Sequence, residues 1–219
     1  CSGDPATNMK NKKIIIGLIV LVVVIVVGIG IIFWRMNNNS VPLAEDYKNG
    51  AIENEKLVED NGAKVQAKLE TSDFSINIPN ACEEATSTRK VAAVIINPNE
   101  KINDPAVQKI NFKSYFAVAS DTLQSKSINE YSETLKFFLS GNIPGTAFTK
   151  EQDTTINGKP AHLIEMEFTQ EGVDFKILTA LIKGQEDDVW AVSFNTPRSA
   201  WDGYKEMFYD TANSFSLKK

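Results

Sequence analysis

The sequence predicts an α+β protein, an antiparallel β-sheet with packed helices, preceded by a single transmembrane helix. Three observations carry this: segments in which apolar and polar residues alternate with period two, two segments with helical spacing and clear punctuation, and one long uncharged run near the N-terminus.

The uncharged run occupies residues 14–34, opening at Ile14 and closing at Trp34. At about 1.5 Å per residue it spans about 31 Å, matching a hydrocarbon core of roughly 30 Å. A cleavable signal peptide would be shorter and followed by a small-residue site, and Trp34-Arg35-Met36-Asn37 offers none. Lys10, Lys12 and Lys13 precede the run and only Arg35 closely follows it. The positive-inside rule therefore puts residues 1–13 in the cytoplasm and the remainder outside. Residues 1–8 read as a tag or an extension ahead of Met9. Residues 35–63, rich in Asn, Asp, Glu and Lys, read as a polar stalk. Residues 64–219 then form one extracytoplasmic domain, and the expected location is the cell membrane, crossed once through the lipid bilayer.

Composition narrows the partners. Lys and Arg number 23 against 28 Asp and Glu, a net charge of −5 without a basic stripe, which argues against nucleic acid. Cys82 is the one cysteine in the expected domain, so no internal disulfide is available to it.

The elements follow in order. Val65, Ala67 and Leu69 alternate with polar residues, as do Phe74, Ile76 and Ile78, and Thr71-Ser72-Asp73 between them predicts a hairpin. A short strand covers 91–96, a polar loop 98–108, and another strand 110–119. Ser127-Ile128-Asn129-Glu130 has the form of a capping box. Tyr131, Leu135, Phe138 and Leu139 share the face of the helix behind it, which Gly141 is expected to close. A meander follows from His162 to Phe194. With Glu171-Gly172 as a two-residue turn, Glu167 faces Lys176, Phe168 faces Phe175, Met166 faces Ile177, Ile164 faces Thr179 and His162 faces Leu181. A second turn over 184–188 is expected to pair Leu181 with Trp190, Thr179 with Val192 and Ile177 with Phe194. That register puts Ile164, Met166, Phe168, Phe175, Ile177, Leu181, Trp190, Val192 and Phe194 on one face. A terminal helix starting near Thr196-Pro197, with Trp201, Tyr204, Phe208, Ala212 and Phe215 along one side, is expected to cover it.

The succession of an F-S-I-N-I-P strand ending at Pro79, a capped helix, N-G-K-P-A from Asn157, an E-x-E-F strand, V-S-F-N-T-P ending at Pro197 and a helix closing N-S-F resembles the PsbP-like superfamily. That superfamily includes the lumenal PsbP subunit of the oxygen-evolving complex and a nuclear-transport factor that binds the Ran GTPase. The resemblance, over roughly residues 64–217, implies an α/β/α sandwich and a role in binding or assembly, and it supplies no active-site residue. Family domains usually carry a Trp soon after the strand-ending proline, where this chain has Asn80-Ala81-Cys82.

The residues themselves offer little chemistry. His162 is the only histidine and has no nucleophile beside it in the expected register. No G-x-S-x-G elbow, phosphate loop or zinc spacing occurs, so no cofactor and no metal is expected. Glu165 and Glu167 project to one side of their strand, as paired acids of an extracytoplasmic enzyme or ligands of a small-ligand or metal site would, but Lys176 opposite suggests a salt-bridged face. The acidic turn Glu186-Asp187-Asp188 lacks calcium-loop spacing. The expected function is non-catalytic: a protein-binding or assembly module whose partner is an envelope or membrane protein. The second sheet face, with Leu163, Glu165, Leu178, Ala180, Ile182 and Val189, is too apolar to stay wet. Its cover is either the helix near 130–139, the loop 98–108, or that partner.

Overall fold

The computed structural model describes residues 67–85 and 91–218. The expected anchor and stalk lie outside the described residues, and among the described residues no helix is long and apolar enough to cross a membrane.

Seven antiparallel strands form the main sheet: β3 (Glu83–Ala85), β4 (Ala93–Ile96), β5 (Tyr115–Thr122), β6 (Ala147–Ile156), β7 (Lys159–Gln170), β8 (Val173–Lys183) and β9 (Asp188–Pro197). Their spatial order is β3-β4-β5-β9-β8-β7-β6. A smaller sheet sets β2 (Phe74–Asn77) between β1 (Lys68–Glu70) and β10 (Ser216–Leu217). The helices are α1 (Pro105–Lys109), α2 (Ile128–Asn142) and α3 (Trp201–Ser214), the last entered through a 3-10 turn at Arg198–Ala200.

Each face of the main sheet buries its own core. On one, Tyr131, Leu135 and Leu139 of α2 and Val107 of α1 meet Ile164, Met166, Phe168, Phe175, Ile177 and Leu181. On the other, Trp201, Phe208 and Ala212 of α3, with Phe74 and Ile76 of β2, meet Leu163, Leu178, Ala180, Ile182, Trp190, Val192 and Phe194. Phe74 links the small sheet to this core through its ring contacts with Trp190 (5.2 Å) and Phe215 (5.4 Å). Each such large apolar side chain contributes about 1.5–3 kcal/mol by burial.

The capping box forms as expected: Ser127 Oγ accepts from the Glu130 amide, and Glu130 accepts from the Ser127 amide. The helix runs through Gly141 to Asn142 rather than closing there. The β1–β2 hairpin forms with Leu69 opposite Ile76. The 98–108 stretch leads into α1, which starts at Pro105 because Asp104 caps it and Pro105 fits its first turn. The expected strand at 110–119 begins later, at Tyr115.

The β7–β8 register is the expected one at all five stated pairs. Glu171 and Gly172 take positive φ (52° and 78°), as a type I′ turn requires. The β8–β9 register differs by one residue: Leu181 pairs with Ala191, Thr179 with Ser193 and Ile177 with Asn195. The cause is loop length. The Gly184 amide donates to the Asp188 carbonyl (2.7 Å), so these residues oppose each other and the loop has three residues, not four. A one-residue slip reverses every side chain. Trp190, Val192 and Phe194 therefore lie on the α3 face, away from Ile164 and Phe175, and Val189 lies on the α2 face. The helices exchange sides accordingly: α3 covers the face left for another cover, and α2 covers the face expected for α3.

Candidate binding surface

The six residues read as a possible partner face divide between the two cores. Leu163, Glu165, Leu178, Ala180 and Ile182 share the α3 face, and Val189 points to the other. All six are buried, Leu178 at 0% and Ile182 at 1% exposure, so the chain's own α3 and β2 take the place left for a partner. The patterning puts five of the six on one face and misplaces Val189, and neither that residue nor the cover was legible because both depend on the β8–β9 loop.

The polar groups on that face are engaged. Glu165 accepts a hydrogen bond from the Tyr209 hydroxyl (2.6 Å) and pairs with Lys176 (3.1 Å), while Lys150 stands 4.0 Å away. Burial disfavours the Glu165 carboxylate, yet the hydrogen bonds from Tyr209 and Lys176 outweigh it and hold its pKa below the ordinary value. Lys176 also reaches Glu167 (3.0 Å) and lies over the Trp201 ring at 4.9 Å, and Arg198 completes the row beside Glu167 at 3.5 Å. The two glutamates read as possible paired acids thus sit beneath α3 in a salt-bridged row. Cys82 is half-buried, and burial, with Glu100 nearby, pushes its thiol up to about 11, away from the reactive thiolate.

His162 is buried against the edge of the sheet on the α2 side. Its Nδ1 lies 2.7 Å from Asp153 Oδ1 and its Nε2 lies 3.2 Å from Glu151 Oε2. Lys136 of α2 donates to both oxygens of Glu151 at 2.8 Å, and Asn129 donates to Asp153 at 3.3 Å. Lys136, through Glu151, and His162, through Asp153, hold the two carboxylates below their ordinary pKa values. Among the described residues no group of three or more His, Cys, Asp or Glu is placed to hold a metal ion. A cleft lined by Asp121, Leu123, Lys126 and Tyr131 has about 10 Å³, room for about one water.

The accessible feature is one the sequence reading passed over. β6 forms the end of the seven-strand order, and nine of its ten residues are exposed or half-buried. Its outer main-chain edge has no strand beside it among the described residues. A bulge at Thr149, between the pairs Phe148–Met166 and Lys150–Glu165, puts Glu151 and Asp153 on the α2 side and Lys150 on the α3 side, beneath Tyr209. The missed signal was Asn157-Gly158: both take positive φ (47° and 77°) in a two-residue turn that pairs Ile156 with Lys159 and so requires a strand before it. In α2, next to Lys136, Phe137 is 84% exposed.

No protein-family model matches the chain, and no curated protein sequence matches it. Solved structures do. A Pseudomonas aeruginosa protein of unknown function superposes with a TM-score of 0.50 at 16% identity, covering 66% of this chain and 92% of its own. Cyanobacterial PsbP from Synechocystis superposes with a TM-score of 0.50 at 13% identity, covering 74% of this chain and 99% of its own. The fold is PsbP-like.

Proposed function

We propose that this chain is a membrane-anchored, non-catalytic binding module of the cell envelope, and that its domain engages a partner protein by strand addition along β6. The carrying observation is the exposed ten-residue edge strand itself. Free amides and carbonyls along such an edge are a template for an incoming strand, with side-chain alternation setting specificity. The anchor rests on residues 14–34 and the lysines before them. The occupant is a strand of another protein and not a second copy of this chain. Two β6 strands paired antiparallel about a twofold would stack Glu151 and Asp153 against their own kind, and facing like charges destabilise. A segment with Lys or Arg at the facing positions meets complementary charge instead.

Photo-cross-linking residues placed at Gln152 and Thr155 in the full chain, in its own membrane, test this. The expected result is adducts from both positions to one extended segment of one partner, with none from Lys205 or Glu206 on the exposed side of α3. Equal capture from the α3 positions, or adducts from β6 only to a second copy of the chain, overturns it.

A further inference from the structure

Both ring nitrogens of His162 face carboxylate oxygens, Nδ1 to Asp153 at 2.7 Å and Nε2 to Glu151 at 3.2 Å. An ionised carboxylate only accepts, and a neutral imidazole carries one N–H, so both contacts are hydrogen bonds only for the imidazolium. In the neutral ring a lone pair would point at one carboxylate or the other. The groups around the ring are accounted for by element. β6 brings Glu151 and Asp153. α2 brings Lys136, which also pairs with Glu133 at 2.7 Å, and the uncharged Asn129. β8 sets uncharged Leu181 opposite on the sheet. With the proton in place, His162 and Lys136 stand as two cations among Glu151, Asp153 and Glu133. Without it, the three carboxylates share one lysine.

We propose that His162 is a proton-operated latch: its imidazolium ties the edge strand β6 to β7 and, through Glu151–Lys136 and Asp153–Asn129, to α2, and loss of the proton releases β6. The consequence for partner binding rests on the strand-addition reading, since β6 is the strand that would accept the partner. The latch is local to the sheet edge, because β7 remains paired to β8 along ten residue pairs.

The chain has one histidine, which makes the test direct. Imidazole nitrogen shifts of the full chain in micelles, followed across a pH series, are expected to show both nitrogens protonated while β6 is held and one of them deprotonated once it is released. Over the same range, after correction for intrinsic exchange, amide exchange of residues 147–156 is expected to accelerate several-fold while β8 is unchanged. His162→Gln abolishes that step, and Asp153→Asn reduces it. A neutral tautomer throughout, an unchanged β6 exchange rate, or the same step in His162→Gln overturns the latch. Cross-linking along β6 with pH-independent exchange would leave the binding reading standing and remove the latch; stepped exchange without partner adducts would do the reverse.

Discussion

Glu165 sits 4% exposed beneath a helix and remains a carboxylate because Tyr209 and Lys176 supply hydrogen bonds that burial alone would deny it. Tyr209→Phe removes one donor and leaves an acceptor buried. The expected loss is about 1–3 kcal/mol in urea unfolding. The pH dependence follows from the direction of the shift. The folded-state pKa of Glu165 is lowered, so its contribution is present above the unfolded carboxylate range and disappears as pH falls through the folded value. Urea midpoints between about pH 7 and about pH 3 should therefore fall less steeply in Glu165→Gln than in the unaltered chain. Phe137 is the opposite case, a large apolar side chain left 84% exposed. Phe137→Ser is expected to change stability by no more than about 0.5 kcal/mol.

Two glycines of similar appearance in the sequence behave oppositely in their elements. A Cβ at Gly184 would stand 2.7 Å from Asp188 Cβ and 3.0 Å from the Asp188 carbonyl oxygen. The main chain there is fixed by the Gly184–Asp188 hydrogen bond. Gly184→Ala is expected to cost about 1–3 kcal/mol, read as a lowered urea midpoint. Gly141 has nothing within 4 Å of a built Cβ and lies inside α2, so Gly141→Ala is expected to stabilise by up to about 1 kcal/mol. The same contrast explains what could be read in advance. Glu171-Gly172 names its own turn, so the β7–β8 register was legible down to individual pairs. Gly184 to Asp188 names a loop but not its length; the decisive fact is a close approach of Gly184 to Asp188 that no local motif encodes. That single residue of uncertainty moved Trp190, Val192, Phe194 and α3 to the other face, where α3 covers most of the supposed partner surface. β6 escaped notice because an edge strand with both faces largely wet lacks the apolar alternation that marks a strand, and only Asn157-Gly158 betrays it.

Across the whole molecule, α2 and α3 never need to touch, because the central strands serve both: β8 sends Phe175, Ile177 and Leu181 to one core and Leu178, Ala180 and Ile182 to the other. Neither core can keep its shape if these strands lose theirs, so damage on one face should be felt on the other. Leu135→Ala, on the α2 side, and Phe208→Ala, on the α3 side, are expected to cost about 2–5 kcal/mol each by leaving cavities. In the full chain, Leu135→Ala should speed the slowest exchange of α3 amides as well as those of α2, and Phe208→Ala should do the converse, both tracking the β8 amides. Exchange that accelerates only on the substituted face would instead mean two layers that open separately. The proton latch belongs to a different regime. It acts on β6, which has one paired side, so its release should leave β8 exchange at the global rate while β6 alone becomes faster.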